Sequence, residues 1–460
     1  METCTNKGVS CFIHNSDKYR QYYVKKNKNV CWRCTHKACK ARIETRDGTV
    51  VSEYGFHCHN QKVVNASATA LRIACKRKAS EHLMERPQKI IRTALQETNS
   101  EQNGEVTHQD VNNFRAAIYR ERRKKYGRLP KTLHETLATL RSMPLSTHRK
   151  EDMLMLCEEI NGKGFVIFTT KLNLQTLCSA DTVLMDGTFK SCPKPFCQLY
   201  TILAYVNTFY IPLVFALLPD KTQSTYETLF HHVLTQCEVT GLQFEPECVL
   251  MDFERAAMNA VEAKFSQTRL IGCRFHLGQS WWRRIQSLGL SDDYRQHSCT
   301  TSKWLKRFFG LSLLPCDEVP DSFTEDIMFD MPDDVRCRQF ADYVVDNFVA
   351  TDSDFPPTLW AHAPDIMPVT TNGAESYHGH LNAQFNAPHP NIYVFVEVLL
   401  RQQAATYVTF SSLSKSRTIP RSTREKSACL RELFTQYSTG HHTRLDYLQR
   451  VGYQFAPSSY

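Results

Sequence analysis

Two short apolar runs that each end on an aspartate constrain this chain most. Val183-Leu-Met-Asp186 leads into Gly187-Thr-Phe-Lys190, and 66 residues further on Cys248-Val-Leu-Met-Asp252 repeats the device. Short apolar runs closed by a turn-forming residue read as buried strands. Two rigid strands hold two carboxylates at a fixed separation, which is what metal-assisted phosphoryl transfer asks of its ligands. One such strand by itself usually means a turn or a cap. The pair, with its surroundings, points to chemistry.

The surroundings supply an order of elements. Val166-Ile-Phe-Thr169 reads as a strand and Leu172–Cys178 as a short helix or turn, ahead of the Asp186 strand. Gln198–Val206 and Ile211–Leu218 follow as hairpin partners, separated by Asn207–Tyr210. Thr222–Val239 reads as a helix with Tyr226, Leu229, Phe230 and Val233 on one face. Cys248–Asp252 is then a strand, Arg255–Phe265 a helix and Leu270–Cys273 a strand. Three strands, a helix, a strand, a helix and a strand is the order of a ribonuclease-H-like fold. By that analogy the first and fourth strands are neighbours, and Asp186 meets Asp252 at one sheet edge. Glu375 is the third acid, in the first turn of a helix capped by Thr371 or Asn372 and striped by Tyr377, Leu381 and Phe385. An acid there also suits the helix dipole, which is its plain structural explanation. The roughly 120 residues between Asp252 and Glu375 hold Trp281-Trp-Arg-Arg284, Trp304-Leu-Lys-Arg307 and the Pro-rich Asp354–Pro368, and predict a largely helical insertion.

Charge separates the front of the chain from the rest. Residues 1–150 hold 30 Lys and Arg against 13 Asp and Glu, a net of +17, inside a chain whose overall net charge is +9. A basic front third beside a mildly acidic body suggests an N-terminal region that binds a polyanion. The basic clusters are Lys76-Arg-Lys78 on a helical stretch from Leu71 to Leu95 and Arg120-Glu-Arg-Arg-Lys-Lys125 on one from Phe114 to Gly127, with the polar linker Glu97–Gly104 between them. Lys76, Arg77, Lys78, Arg122, Arg123, Lys124 and Lys125 are therefore candidate DNA contacts through counterion release. A solvated helix face or a nuclear-import signal explains either cluster as well.

Ahead of these helices, Lys18–Val24 and Asn29–Cys34 read as strands joined at Lys26–Asn29, followed by Cys34-x4-Cys39 and His57-Cys-His59. Thiolates with imidazoles suit tetrahedral Zn²⁺. If residues 57–59 are extended, His57 and His59 face one ion while Cys58 points away. Cys31 and Cys58 leave open which thiols ligate. The first thirty residues show no continuous apolar core, so no signal peptide is expected. Eighteen cysteines then read as reduced thiols and ligands rather than a disulfide framework. Leu199–Val206 and Ile211–Leu218, the longest apolar stretches, are too short to span a bilayer.

Tyr22, Tyr23, Trp32, Cys34, Cys39, Lys40-Ala-Arg-Ile43 and His57-x-His59 together resemble a FLYWCH-type zinc finger. That resemblance implies Zn²⁺ on Cys34, Cys39, His57 and His59, with a role in DNA binding and protein contacts. Asp186-Gly-Thr-Phe-Lys190, Pro195-Phe-x-Gln-Leu-Tyr200, Pro212-x-x-x-Ala-Leu-Leu218, Lys221 with Tyr226, Asp252-Phe-Glu254, Cys273-x-x-His276 and Asn372-x-x-Glu375-Ser resemble a Mutator-like element (MULE) transposase domain over about residues 150–410. This second resemblance implies an Asp-Asp-Glu triad, Asp186, Asp252 and Glu375, that holds two Mg²⁺ or Mn²⁺ ions. It implies hydrolysis of one strand at the element end and attack of the freed 3′-hydroxyl on target DNA. It also implies element ends and target DNA as partners, a homo-oligomer on DNA, no membrane, and a nuclear location. Cys273 and His276 match the family's Cys-x-x-His pair and are expected to shape the site. Lys190, Arg274, Arg283 and Arg284 are candidate phosphate contacts. Asp220, Glu254, Asp365, His378 and His380 match no metal-ligand position of the family.

The expected architecture is an α+β and α/β multidomain chain. Residues 1–62 form a small zinc-stapled β finger and 63–150 a basic helical linker or DNA-binding region. Residues 151–400 form a ribonuclease-H-like catalytic domain with a helical insertion at about 277–368, and 401–460 a helical C-terminal tail. The expected function is DNA transposition by two-metal-ion strand cleavage and transfer. The alternative is a domesticated descendant that binds DNA as a zinc-finger transcriptional regulator without catalysis.

Overall fold

Six short strands in succession, β1 (Glu2–Cys4), β2 (Ser10–His14), β3 (Asp17–Val24), β4 (Val30–Cys34), β5 (Arg42–Arg46) and β6 (Thr49–Tyr54), pair antiparallel in chain order. The computed structural model describes residues 2–4, 10–15, 17–59, 66–97, 106–296, 299–364, 372–414 and 421–456, in two compact units, 1–129 and 130–460. Alternation along β2, β3, β4 and β5 turns Phe12, Tyr19, Trp32, Cys34 and Ile43 into one small core. The indole N–H of Trp32 donates to Thr45 Oγ1 at 2.8 Å, so this large buried ring carries no unpaired donor.

The rest of the first unit is helical: α1 (Ala66–Glu81), α2 (Pro87–Glu97) and α3 (His108–Tyr126). The stretch read as helical from Leu71 to Leu95 is broken. Pro87 lacks an N–H and is tolerated only in a first turn, so the chain stops at Glu81 and restarts there. Thr107 and Asp110 form a reciprocal capping box that starts α3, and residues 98–104 of the expected linker lie outside the described residues. Leu71, Cys75, Ile90, Ile91, Phe114 and Ile118 give the three helices a core of their own. This stretch is a packed body, not a linker.

The second unit opens with α4 (Leu133–Ser142) and is built on a seven-stranded mixed sheet. In chain order its elements are β7 (Leu154–Ile160), β8 (Lys163–Phe168), α5 (Lys171–Cys178), β9 (Thr182–Thr188), β10 (Gln198–Val206), β11 (Phe209–Leu218), α6 (Gln223–Val239), β12 (Cys248–Met251), α7 (Arg255–Lys264) and β13 (Arg269–Gly272). The spatial order is β13-β12-β9-β10-β11-β8-β7, with β12 parallel to both β9 and β13 and the remaining pairs antiparallel. β7 was not foreseen, because its Glu158-Glu159 edge is polar. The Asn161-Gly162 turn that joins it to β8, with φ of 51° and 75°, is the hairpin signal the sequence did carry.

Alternation sorts the sheet into two faces. Val183, Met185, Val249 and Met251 pack with Leu229, Phe230, Val233, Met258 and Val261 of α6 and α7. Leu184, Leu203, Leu250 and Ile271 face the other way, against Ala374 of α13 (Asn372–Ala383). Thr371, one of the two expected caps of α13, lies outside the described residues, and the side chain of Asn372 is not described. Gly373 allows α13 to start hard against the Tyr210 ring, since a Cβ there would sit 2.3 Å from a ring carbon. α14 (Ile392–Ser412) is fastened to α5 by a reciprocal pair of amide bonds, Asn173 Nδ2 to Gln403 Oε1 at 2.9 Å and Gln403 Nε2 to Asn173 Oδ1 at 2.8 Å, both residues fully buried. α14 runs through position 400, so no element boundary falls there.

Between β13 and α13 lies a helical body of α8 (Arg274–Ser287), α9 (Ser291–Arg295), α10 (Thr300–Leu311), α11 (Val319–Ser322) and α12 (Val335–Val344). Trp281, Trp304, Phe308, Phe340 and Trp360 form its aromatic centre, with Trp304 Nε1 donating to Ile327 O at 2.8 Å. The last two helices, α15 (Arg421–Ser438) and α16 (Arg444–Phe455), belong to this body. Tyr447, Leu448 and Val451 are fully buried in its core, and Arg444 pairs with Asp326 at 2.5 Å and Glu325 at 2.6 Å. A Cβ on Gly452 would come within 2.4 Å of the backbone oxygen of Lys306, so α16 approaches α10 at a distance only glycine allows. Gly452→Ala is expected to cost about 1–3 kcal/mol through overpacking against backbone that cannot rotate away. Urea unfolding checks this, with limited proteolysis to show whether α16 loosens first.

Candidate metal centres

The first centre forms at one edge of the N-terminal six-stranded sheet. Cys34 ends β4, Cys39 lies in the following loop, and His57 and His59 follow β6. Their ligand atoms all lie within 4.8 Å of one another: Cys34 Sγ to His59 Nε2 is 3.2 Å, Cys39 Sγ to His57 Nδ1 is 3.4 Å, and His57 Nδ1 to His59 Nε2 is 3.2 Å. The two histidines are not on a strand, as the His-x-His reading supposed. Gly55, at φ +74°, ends the ladder after β6, and the segment beyond it curls back to the cysteines. Cys58 is exposed with its thiol towards Ala38 O, and Cys31 is buried outside the cluster, lining a cleft with Lys25 and Glu44.

Neighbours aim the His57 ring. Its Nε2 meets the Tyr19 hydroxyl at 2.8 Å and Asp17 Oδ2 at 3.3 Å, which leaves Nδ1 to face the cluster. Burial, then the charge of Asp17, pushes the Tyr19 hydroxyl up to about 12. Burial also raises the Cys34 thiol. For Cys39 burial acts upward too, but the backbone N–H groups of Ala41 and Cys58 outweigh it and bring the thiol down to about 6. Two thiols and two imidazoles with converging lone pairs fit a tetrahedral soft cation.

The second centre is set by strand register. Met251 pairs with Met185 across the parallel β12–β9 ladder, so Asp186 and the residue just beyond β12, Asp252, lie level with each other. α13 brings Glu375 to the same edge. His276, in the first turn of α8, stands between two of the acids, with Nδ1 3.3 Å from Asp252 Oδ1 and Nε2 3.1 Å from Glu375 Oε1. Cys273, His276 and Glu375 have ligand atoms within 4.8 Å of one another. Asp186 and Asp252 stand outside that set.

His378 has a role the sequence reading did not give it. Its Nδ1 lies 2.9 Å from Asp186 Oδ2 and its Nε2 2.7 Å from Thr201 Oγ1, whose hydroxyl donates to Asp186 O. It sits three residues after Glu375 on α13, and that helical spacing is the signal that would have found it. Glu254, also set aside, is tied to Lys221 at 2.5 Å and accepts the Tyr226 hydroxyl at 2.6 Å. Gln198 in turn donates from Nε2 to the Tyr226 oxygen at 2.6 Å. A Cβ at position 187 would lie 2.6 Å from Gln198 Oε1, which explains the glycine after Asp186.

Glu375 and Asp252 hold their protons more tightly than free carboxylates do. Burial raises Glu375, with Asp186 and Asp252 adding to the effect and His276 opposing it. Burial likewise raises Asp252, although its side chain keeps 46% of its surface open, and His276 again opposes. Burial would lower His276, but a hydrogen bond to Cys273 and the charges of Asp252 and Glu375 push it up to about 9. Glu375 and Asp252, raised first by burial and then by neighbouring carboxylates, fit a hard divalent cation, whose charge would offset both effects.

The basic candidates divide. Arg122 is turned inward, its guanidinium donating to His82 O and Glu85 O, and Lys125 donates to Ser80 O, so both cap the end of α1 and the turn after it. Lys78 pairs with Glu97, and Lys124 lies 4.0 Å from Glu121. Arg77 and Arg123 are exposed, and Lys76 is half-buried. In the second unit Lys190 and Arg283 are exposed, Arg284 lies over the Tyr343 ring and Arg274 near Tyr447.

Residues 182–280 match the family model of the MULE transposase domain. The match spans Asp186, Asp252, Cys273 and His276, and Glu375 lies beyond it. It supports a relation to MULE-family transposases and with it DNA binding and use of divalent metal. No curated protein matches the chain. No helix among the described residues is long and apolar enough to cross a membrane.

His276 makes the site pH-sensitive in the metal-free protein. Its folded pKa of about 9 exceeds the ordinary 6.5, so its contribution is whole below pH 6.5 and is lost as pH rises through 9. Stability should fall across that window by at most about 3 kcal/mol. His276→Gln should flatten the fall, as urea unfolding at several pH values will show.

Proposed function

We propose that this chain is a DNA transposase of the Asp-Asp-Glu type, with a zinc finger at its front. The observation that carries the proposal is the convergence of Asp186, Asp252 and Glu375 on one sheet edge, two of them inside the stretch that matches the MULE transposase domain. The order β11-β10-β9-β12-β13, with α6 and α7 as connections, supports a ribonuclease-H-like reading of the body. α8 to α12 stand as its helical insertion, completed by α15 and α16.

In this reading Asp186, Asp252 and Glu375 hold divalent cations, which supply Lewis-acid stabilisation of the charge that builds on the scissile phosphate. His378 keeps Asp186 in one rotamer. His276 balances the charge of Asp252 and Glu375 and yields those carboxylates when cations arrive. Lys190 and Arg283, exposed in the same unit, are available to DNA phosphates. Cys34, Cys39, His57 and His59 bind Zn²⁺ and lock a finger resembling the FLYWCH type, whose unit also offers Arg77 and Arg123 to DNA.

Asp186→Asn is expected to reduce Mn²⁺-dependent nicking of supercoiled plasmid by at least about 10³-fold while DNA binding stays within about twofold. The alternative, a DNA-binding regulator without catalysis, draws support from one feature: His276 occupies the space between Asp252 and Glu375, and Asp186 and Asp252 lie outside the one ligand-sized cluster there. A zinc-loaded protein that binds DNA and never nicks it would favour that alternative. Chelation of Zn²⁺ should unfold the finger, since so small a core supplies little stability by itself. Circular dichroism with quantification of released zinc, repeated on Cys34→Ser, is the check.

A further inference from the structure

The sheet edge that gathers the three acids also carries a donor set of a different kind. Cys273 follows β13 and caps α8, and its N–H donates to Met251 O at 2.8 Å, which ties it beside the end of β12. His276 comes three residues later in the first turn of α8, so a thiol and an imidazole leave the same side of the helix. Glu375 arrives from α13. One ligand atom from each of the three lies within 4.8 Å of the other two, and Cys273 is fully buried.

The contacts in this group are those of ligands and not of hydrogen-bonded pairs. His276 Nε2 lies 3.1 Å from Glu375 Oε1, and His276 Nδ1 3.3 Å from Asp252 Oδ1. Yet His276 Nδ1 and Glu375 Oε1 are both closed to solvent and make no hydrogen bond. The polar atoms lie side by side, with neither aimed at the other. Atoms bound to one tetrahedral cation at about 2.0–2.3 Å stand roughly 3.3–3.6 Å apart. Buried polar atoms left without hydrogen bonds are costly, and a cation among them removes that cost. The donors also choose the metal. Thiolate, imidazole and carboxylate together suit Zn²⁺, whereas Mg²⁺ takes oxygen ligands in octahedral geometry.

We propose that Cys273, His276 and Glu375 form a Zn²⁺ site that competes with the catalytic cations for Glu375 and, when filled, holds the protein idle. The inference rests on the transposase reading and gives its site a regulator. Glu375 belongs to two donor sets, the oxygen set with Asp186 and Asp252 and the soft set with Cys273 and His276. His276, once it ligates zinc, is pinned between Asp252 and Glu375 and no longer yields them. Catalytic cations then meet a triad short of one carboxylate, beside a second positive charge that repels them. Three protein ligands leave the fourth zinc position to water.

The test counts metal on the full-length chain. Dialysed to equilibrium against Zn²⁺, the parent should bind two ions, one at Cys34, Cys39, His57 and His59 and one here. Cys273→Ser, which matches the thiol in shape and suits a helix cap, should bind one. His276→Gln should also bind one, and it decides the count if Cys273→Ser fails to fold. Competition is read by calorimetry of Mn²⁺ binding. Zn²⁺ added beforehand should weaken that binding at least about tenfold in the parent and less than about twofold in Cys273→Ser. The Zn²⁺ concentration that halves Mn²⁺-dependent nicking, taken against each protein's own rate before the addition, should rise at least about tenfold in Cys273→Ser. A parent that binds a single Zn²⁺, or a second ion that persists in both variants, overturns the inference. So does a second ion that leaves Mn²⁺ binding unchanged. A parent that shows this count and this competition yet never nicks overturns the transposase reading and leaves the zinc site standing.

Discussion

A one-residue slip of β12 along β9 would turn Asp252 from the α13 side of the sheet to the side of α6 and α7, where Met251 now packs among Leu229, Phe230 and Met258. A carboxylate there would be desolvated with no partner, a cost of several kcal/mol. The apolar alternation of β12 therefore does two things at once. Val249 and Met251 lock the register against α6 and α7, and that register carries Asp252 to the level of Asp186. Gly272 extends the same logic to the next strand, since a Cβ there would strike the ring of Phe253, the residue that follows Asp252. Packing fixes the position of the charge before any cation arrives.

Both centres use histidine in the same way, with one ring nitrogen spent on orientation. His57 gives Nε2 to Tyr19 and Asp17 and keeps Nδ1 for the cluster. His378 sets one nitrogen on Thr201 and the other on Asp186. Such partners restrict both the rotamer and the tautomer, so the group in contact with the site pays little entropy when it acts. His276 differs, because both of its nitrogens face carboxylates, and it serves as counter-ion to a pair of acids that repel each other.

The body of the sheet was legible in the sequence because its strands are buried on both faces and read as unbroken apolar runs: β9, β10, β11 and β12 fall within a residue or two of their expected places. Residue type and spacing pointed to a cysteine–histidine cluster near residues 31–59 but left Cys31 and Cys58 open as ligands, and it is the fold that brings Cys34, Cys39, His57 and His59 together. What stayed hidden is what depends on the third dimension. β7 carries two glutamates because it is an edge strand, so its pattern lacks an apolar signature. Arg122 reads as a surface cation within a basic run, yet it is spent on the carbonyls of His82 and Glu85, and only the fold of α1 against α3 reveals that. His378 and Glu254 matched no ligand position and were passed over, because residues that hold other residues leave little trace in spacing.

The placement of α16 has a consequence for how the chain is made. Its Tyr447, Leu448 and Val451 fill the core whose other walls, Trp304, Phe308 and Phe340, are synthesised more than a hundred residues earlier. Until α16 is synthesised and docks, the side of α10 that Leu448 and Gly452 cover stays open, and the helical body waits as a sticky intermediate while that stretch is made. Closure at such sequence separation is also slow in its own right. A chain cut ahead of α16 would thus be, in place of a shortened but working protein, one with an open apolar core. Such a chain invites aggregation or degradation, and the fold thereby ties a working protein to the presence of α16.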